Sequence, residues 1–226
     1  MDFRSQVSAP GALASLSCDA LILIVHGEAV DPTLDAPLAA ALSDAIAQGD
    51  LALKAGKSIY LHRPVGVRAP RLVFAVAGAG TAKAFKSAVA AGIAQLKGLG
   101  AKHVAVGLAG SGALTDAHAE ALVAAARDAT YLYRHTKPSA PEPSALAKFT
   151  LLCDKAQVKS VQHGLARGQA IASGVALARE CANRPANHCT PTYLAQEAKR
   201  LGKEFGLKVE VLDRKDVEKL GMGAFL

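Results

Sequence analysis

The 226-residue chain is short of the residues that mark several classes of protein. It has no tryptophan and only 4% aromatic residues, so its core must come from alanine, valine, leucine and isoleucine, as in many α/β proteins. No apolar run approaches the roughly 20 residues of a membrane-spanning helix. The opening Met1–Arg4 is not followed by the apolar stretch of a signal peptide. These absences predict a soluble, cytoplasmic protein with no membrane partner.

The chain also lacks the spacings of familiar metal and nucleophile motifs. Its cysteines show no zinc-ligand spacing and favour a reduced compartment; they are Cys18, Cys153, Cys181 and Cys189. His188 and Cys189 are adjacent, and adjacent side chains rarely point at one centre. We therefore predict that both are incidental to catalysis and metal binding. No histidine forms a metal-like pair with a carboxylate three or four residues away. We therefore predict surface or structural roles for His26, His62, His118 and His163.

Positive charge is present but dispersed. The formal net charge is +7, which raises the question of nucleic-acid binding. No dense basic tract occurs, although Lys54, Lys57, Arg63, Arg68 and Arg71 fall close together. A mild basic excess is usually a solvated surface, so the charge of the chain does not predict DNA as a partner.

Strand and helix patterns alternate through the first 155 residues. Apolar runs typical of buried strands are followed by glycine turns and then by helical stripes, which predicts a mostly parallel sheet with flanking helices. The predicted strands are Ala20–Val25, Ser58–His62 (an edge strand), Arg71–Ala77, Lys102–Leu108 and Phe149–Cys153. The predicted helices are Thr33–Gln48, one carrying Phe85, Val89, Ile93 and Leu96, and Asp116–Arg134.

A long helix, Val158–Ala182, is predicted to connect this domain to a second one. It contains Gly164, Gly168 and Gly174. Because each glycine weakens a helix by about 1 kcal/mol relative to alanine, their presence indicates close packing against another element.

The helix is predicted to end at an irregular crossing, Asn183–Ala195. Pro185 disfavours the α conformation at Arg184, and Thr190–Pro191 is a helix-start signal. A helix Pro191–Phe205, a strand Leu207–Leu212 and a helix Lys215–Leu220 are predicted to follow. The apolar run Met222–Leu226 begins a new element, which predicts that the second domain is truncated.

The crossing resembles the entry to the catalytic domain of leucyl aminopeptidases. The matching residues are Asn183, Pro185, Asn187, Thr190, Pro191, Leu194 and Ala195, then Gly206–Asp213 and Leu220–Ala224. The resemblance implies an N-terminal α/β domain at residues 1–155, a connecting helix at 156–182 and the start of the peptidase domain at 183–226. It further implies a cytoplasmic homo-hexamer that removes N-terminal residues, leucine preferred, from peptides.

The same resemblance implies two divalent metal ions, Mn²⁺ or Zn²⁺, in the intact enzyme. A pair of metals would clamp the peptide and activate a bridging water. The family's lysine, aspartate and glutamate ligands would all lie beyond Leu226. No catalytic, cofactor-binding or metal residue is therefore assigned to this chain, which is expected to serve assembly and to be inactive alone.

A binding module is the alternative function. The arrangement of the first domain is similar to that of macro-type domains, which hold ADP-ribose at glycine loops, and some relatives of the peptidases bind DNA. Gly78–Thr81 and Gly107–Gly112, helped by Lys83, would then hold the ligand. The loop at Gly78–Thr81 does not complete a dinucleotide fingerprint, because Lys83 stands where the third glycine belongs. A tight turn is the favoured interpretation of both loops.

Overall fold

The computed structural model describes residues 1–9 and 11–226. Its contacts divide the chain into two compact units, residues 1–132 with 139–176, and residues 133–138 with 177–226. The division falls inside the long helix. The domain limits expected from the sequence, 1–155, 156–182 and 183–226, stay predictions.

In the described part of the first unit, six strands form one sheet. The strands are β1 (Asp2–Val7), β2 (Ala20–His26), β3 (Ser58–His62), β4 (Arg71–Gly78), β5 (His103–Leu108) and β6 (Lys148–Cys153). Their order across the sheet is β1-β6-β5-β2-β4-β3. Only the β3–β4 pair is antiparallel. The predicted mostly parallel sheet and the predicted edge strand Ser58–His62 are confirmed, and the structure shows that this edge strand runs antiparallel to β4.

Helices cover both faces of this sheet. They are α1 (Ala36–Ala47), α2 (Ala82–Leu96), α3 (Asp116–Thr130) and α4 (Val158–Asn183). One core contains buried side chains of α1, and the other contains those of α2, α3 and α4. Strand β2 contributes to both, with Ile22 and Ile24 in one core and Leu21, Leu23 and Val25 in the other. Successive side chains of a strand point to opposite faces, so a continuous apolar run suits a strand covered on both sides.

Strand β1 was not predicted, because its sequence is mostly polar. Phe3 is its buried residue, and the Phe3 ring stacks on Phe149 of the neighbouring strand at 5.8 Å. Val7 is half exposed. A strand at the edge of a sheet needs little apolar surface, and its hydrogen bonds come from the partner strand, which the local pattern does not reveal.

Two of the three glycines of α4 are required by packing against α3. A methyl group at Gly164 would overlap the backbone of Asp116, and one at Gly168 would lie 3.0 Å from Glu120 Cα. A methyl group at Gly174 would meet nothing within 4 Å. The inference of close packing from glycine is therefore right for Gly164 and Gly168 and wrong for Gly174.

The second unit contains α5 (Pro191–Phe205) and the short helix α6 (Arg214–Lys219). The helix α5 has the predicted bounds, and the Thr190 hydroxyl accepts a hydrogen bond from Tyr193 N–H at 3.2 Å. Gly206 ends the helix in the left-handed conformation, with φ of 68°.

The predicted strand Leu207–Leu212 is wrong. The segment has no strand hydrogen bonds and its side chains are exposed. Its apolar alternation is typical of a strand, but a strand needs a neighbour for its backbone groups, and none lies beside it among the described residues.

Helix α3 ends at Thr130 rather than at the predicted Arg134. Residues 131–147 have no regular structure, and Pro138, Pro141 and Pro143 lie within them. Over the residues that the structure describes, no helix combines the length and apolar character needed to cross a membrane.

Candidate functional site at the carboxyl ends of the strands

The chain turns in opposite directions after the adjacent strands β2 and β5. It leaves β2 for α1 on one face of the sheet and leaves β5 for α3 on the other face. Such a divergence opens a crevice at the carboxyl ends of parallel strands, which is where ligands bind in open α/β sheets. The fold therefore places its candidate site here.

Asp31, in the loop after β2, bridges this crevice. Its Oδ1 accepts hydrogen bonds from the Thr33 N–H at 2.8 Å and the Thr33 hydroxyl at 2.6 Å. Its Oδ2 accepts from the Ser111 N–H at 2.9 Å and the Ser111 hydroxyl at 2.6 Å. The Ser111 hydroxyl, followed by the Thr33 donors, holds the pKa of the Asp31 carboxyl well below its usual range. With four donors in place, this carboxylate acts as a clamp between two loops.

The clamp explains one glycine of the loop after β5. Gly110 has φ of 130°, and a Cβ added there would lie 2.6 Å from Asp31 Oδ2. Both the backbone conformation and the close approach of Asp31 require glycine at this position. The predicted tight turn at Gly107–Gly112 thus has a structural explanation.

A cleft of about 290 Å³ lies beside the clamp. Its walls come from the ends of β1, β5 and β6 and from the segment before α1. The polar side chains among its described lining residues are Ser8, Thr33, Asp35, Ser111, Asp154 and Gln157, and the leucines are Leu13, Leu34, Leu108, Leu114 and Leu152. No lysine or arginine occurs among these lining residues. A carboxylate-lined wall disfavours a pyrophosphate or a nucleic-acid backbone.

Asp35 is the buried carboxylate of this cleft, with 7% of its surface exposed. Its Oδ2 accepts a hydrogen bond from Ala14 N–H at 2.7 Å, which ties the segment after β1 to the start of α1. Asp35 immediately precedes α1, so the positive end of that helix compensates its charge. The role of Asp35 in the described structure is to hold two segments together.

The second predicted loop, Gly78–Thr81, lies outside the cleft. Thr81 caps α2 by accepting from Ala84 N–H at 3.2 Å. His118, which is 5% exposed, has its Nε2 3.2 Å from the Gly80 carbonyl and its Nδ1 3.3 Å from Thr115 N. Because Nδ1 accepts from that amide, Nε2 carries the proton and donates to Gly80. The histidine therefore ties the loop to α3.

His26 is the last residue of β2, and its ring lies close enough to His118 for the two to interact electrostatically. Burial, and then the proximity of His118, lower the pKa of His26 below its ordinary value of 6.5. The structure brings together no metal-binding set around it. Across residues 1–9 and 11–226, no three His, Cys, Asp or Glu side chains are placed to hold a metal ion.

The crossing is ordered by its own contacts within the second unit. The Arg184 guanidinium lies 4.9 Å from the centre of the Tyr193 ring, and the His135 and His188 rings meet edge to face at 5.5 Å. Asn183 Nδ2 donates to the Arg179 carbonyl at 2.8 Å. These contacts shape the turn.

Two family models match the chain in succession. Residues 24–139 match the N-terminal domain of the cytosol aminopeptidase family, and residues 176–226 match its catalytic domain. The chain belongs to the cytosol aminopeptidase family. The resemblance inferred from the crossing is confirmed, and no finding favours the alternative binding module.

Curated relatives of the cytosol aminopeptidase family align along the chain. A probable cytosol aminopeptidase of Methylibium petroleiphilum is 62% identical over 226 residues, which is 100% of this chain and 46% of the relative. The cytosol aminopeptidase of Pseudomonas aeruginosa is 41% identical over 194 residues, 82% of this chain and 39% of the relative. The chain thus spans less than half the length of either relative.

Solved structures agree with the fold. A mutant of tomato leucine aminopeptidase superposes with a TM-score of 0.78 at 22% identity, over 98% of this chain and 46% of that one. The bottromycin maturation enzyme BotP in complex with Mn superposes with a TM-score of 0.66 at 23% identity, over 91% of this chain and 40% of that one. At such identities the likeness is one of fold.

Proposed function

We propose that this chain is the N-terminal portion of a metal-dependent leucyl aminopeptidase. Residues 1–155 would form its N-terminal domain, 156–182 its connecting helix and 183–226 the beginning of its peptidase domain. The observation that carries the proposal is the order of the two family matches, N-terminal domain first and catalytic domain second, on one continuous chain. The intact protein would hydrolyse N-terminal residues, leucine preferred, from peptides in the cytoplasm.

The metal ions of the intact enzyme would be held by residues outside this chain. The described residues offer no group of three metal-binding side chains, so the donor set needed for two divalent ions does not fit here. Mn²⁺ or Zn²⁺ is proposed, and the description of BotP as a complex with Mn supports a metal requirement. When bound, two such ions would lower the pKa of the attacking water.

This chain would serve the assembly of the intact protein. Large apolar side chains of the second unit are exposed, among them Phe205 at 63% and Leu207 at 59%. Exposed apolar surface of this kind marks a packing face. We propose that the remainder of the peptidase domain covers it and that the intact protein assembles as a homo-hexamer.

A comparison of two lengths of chain tests the proposal. The 226-residue chain and a chain extended to the full length of the relatives are assayed for hydrolysis of leucine p-nitroanilide with Mn²⁺, before and after a chelator. Only the extended chain is expected to hydrolyse the substrate, and the chelator should abolish this activity. The extended chain is also expected to elute as a hexamer in size-exclusion chromatography. Chelator-sensitive hydrolysis by the 226-residue chain would show that the metal site lies within it and would overturn the assignment.

A further inference from the structure

The buried Asp35 has one carboxylate oxygen without a hydrogen-bond partner. Its Oδ2 accepts from the Ala14 N–H at 2.7 Å, whereas its Oδ1 is buried and has no partner among the described residues. The residue as a whole is 7% exposed. A buried carboxylate oxygen that has lost water and gained no donor is costly, and native structures rarely leave such groups unpaired. The Oδ1 atom therefore indicates a partner outside the described residues.

The start of α1 explains why this oxygen is left over. Asp35 occupies the N-cap position of α1, where an aspartate usually accepts from amides of the first helical turn. No side-chain capping hydrogen bond forms here, and the second helical residue is Pro37, which has no N–H to donate. The carboxylate bonds to Ala14 instead. Capping of α1 is thus excluded as the role of the free oxygen.

Asp35 borders the cleft of about 290 Å³ at the carboxyl ends of the strands. A second carboxylate, that of Asp154, lines the same cleft and is exposed. No lysine or arginine occurs among the described lining residues. The terminal torsion of an aspartate is broad, so a small rotation of the Asp35 carboxylate can meet a donor that sits in the cleft. Two carboxylates without a basic side chain favour a cation.

The rest of the cleft wall is largely aliphatic. The leucines that line it are Leu13, Leu34, Leu108, Leu114 and Leu152. Such a wall binds hydrocarbon, because apolar surface gains free energy when it leaves water. The volume of about 290 Å³ equals that of roughly ten water molecules at about 30 Å³ each. The cleft therefore has room for a compact organic molecule and is too small for a nucleotide.

We propose that this cleft binds a small organic ammonium ion. The ammonium group donates to Asp35 Oδ1, Asp154 adds attraction at the rim, and the aliphatic body of the ligand packs against the leucines. A bare metal ion fits less well, because no three His, Cys, Asp or Glu side chains are placed around one among the described residues, and leucine offers a metal no ligand. A ligand with a carboxylate is repelled by the two aspartates.

Isothermal titration calorimetry of the 226-residue chain with cyclohexylamine at neutral pH tests the proposal. Cyclohexanol carries the same ring without the charge, and cyclohexanecarboxylate carries the opposite charge. We expect cyclohexylamine to bind with a dissociation constant on the order of 1 mM. Cyclohexanol is expected to bind at least about tenfold more weakly, because the charge-assisted hydrogen bond is lost. Cyclohexanecarboxylate is expected not to bind.

Three variants assign the binding to the cleft. Asp35→Asn removes the charge, keeps an oxygen that can accept from the Ala14 N–H, and is expected to weaken cyclohexylamine binding at least about tenfold. Asp154→Asn, at an exposed position, is expected to weaken binding roughly two- to fivefold. Asp44→Asn is the matched control, because Asp44 is exposed on the same helix α1 and is not among the described lining residues. This control is expected to bind as the wild type does. Far-UV circular dichroism verifies folding.

Amide chemical shifts of the isotope-labelled chain locate the bound amine. On addition of cyclohexylamine, the largest changes are expected at Ala14, whose N–H donates to Asp35, and at Ser111 and Gly112, which line the cleft. The amides of α5 are expected to stay unchanged. If Asp35→Asn does not fold, these shifts and the Asp154→Asn affinity decide the question.

Four results would overturn the proposal. They are shifts that avoid the cleft, equal affinities for cyclohexylamine and cyclohexanol, an unchanged affinity of a folded Asp35→Asn variant, and an unchanged affinity of Asp154→Asn together with shifts outside the cleft. An absence of binding up to roughly 10 mM cyclohexylamine would also overturn it, because the cleft would then hold water alone.

Discussion

A methyl group added at Gly164 would be driven into the backbone of α3. The added Cβ would lie 2.6 Å from Asp116 Cα and 2.7 Å from Asp116 C, whereas carbon atoms pack best at about 3.5–4.0 Å. Helices α3 and α4 would have to separate by roughly 1 Å at this point. Backbone cannot swing away as a flexible side chain does, so the strain would spread along both helices.

The size of the effect follows from two opposing terms. Overpacking of this kind lowers the free energy of unfolding by about 1–3 kcal/mol. The higher helix propensity of alanine offsets roughly 1 kcal/mol of this loss. Because Val161 and Leu165, both buried beside Gly164, would lose contacts as the helices part, we place the cost at the upper end. Gly164→Ala is therefore expected to lower the free energy of unfolding by about 2 kcal/mol. The assay is urea unfolding of the 226-residue chain, followed by far-UV circular dichroism.

Gly174 provides the matched control on the same helix. A methyl group there meets nothing within 4 Å, so Gly174→Ala is expected to raise the free energy of unfolding by up to about 1 kcal/mol. The two variants should shift the urea midpoint in opposite directions. Equal midpoints for Gly164→Ala and the wild type would refute the close packing of α3 and α4.

Three further outcomes are expected. Asp31→Asn is expected to lower the free energy of unfolding, and its deficit relative to the wild type should shrink as the pH falls below 3.8. The reason is that the lowered pKa of Asp31 stabilises the fold only while the carboxyl is ionised. Unfolding curves across acidic pH check this. The wild type also loses stability as the pH drops below 6.5, because the unfolded chain protonates His26 first, and His26→Gln should flatten that slope. Thr190→Ala removes the cap of α5 and should cost about 1 kcal/mol, visible as reduced helical circular dichroism on heating.

Two of these outcomes have a contrary result that the measurements would reveal, and the third has a matched control. A deficit of Asp31→Asn that is constant with pH would show that its hydrogen bonds do not depend on charge. An unchanged slope for His26→Gln would assign the loss of stability to another group, for which His103, whose pKa is lowered by burial, is the next candidate. A Thr190→Ser variant retains a capping hydroxyl and should behave as the wild type.

Local signals in the sequence predicted most of the elements. Apolar runs predicted β2, β4 and β5, because strands covered on both faces need apolar residues throughout. Thr190–Pro191 predicted the start of α5 to the residue, since capping and proline geometry act within a single turn. The family resemblance came from the same short crossing and is confirmed by the family models.

These local signals could not predict which strands pair. Strand β1 exists because β6 offers it hydrogen bonds and because Phe3 stacks on Phe149. The segment 207–212 has the alternation of a strand and remains unpaired. The partner of β1 is remote in sequence, and segment 207–212 has no partner strand among the described residues, so propensity alone gave the wrong answer in both places.

The sequence by itself therefore determined the fold class, most of the elements and the family, because hydrophobic period, turns and caps are properties of neighbouring residues. Tertiary structure decided which glycines are indispensable and why Asp31 is a clamp between two loops. Each of these depends on a short distance between atoms of residues that are separated in the chain. Such distances are set only when the helices and loops have packed.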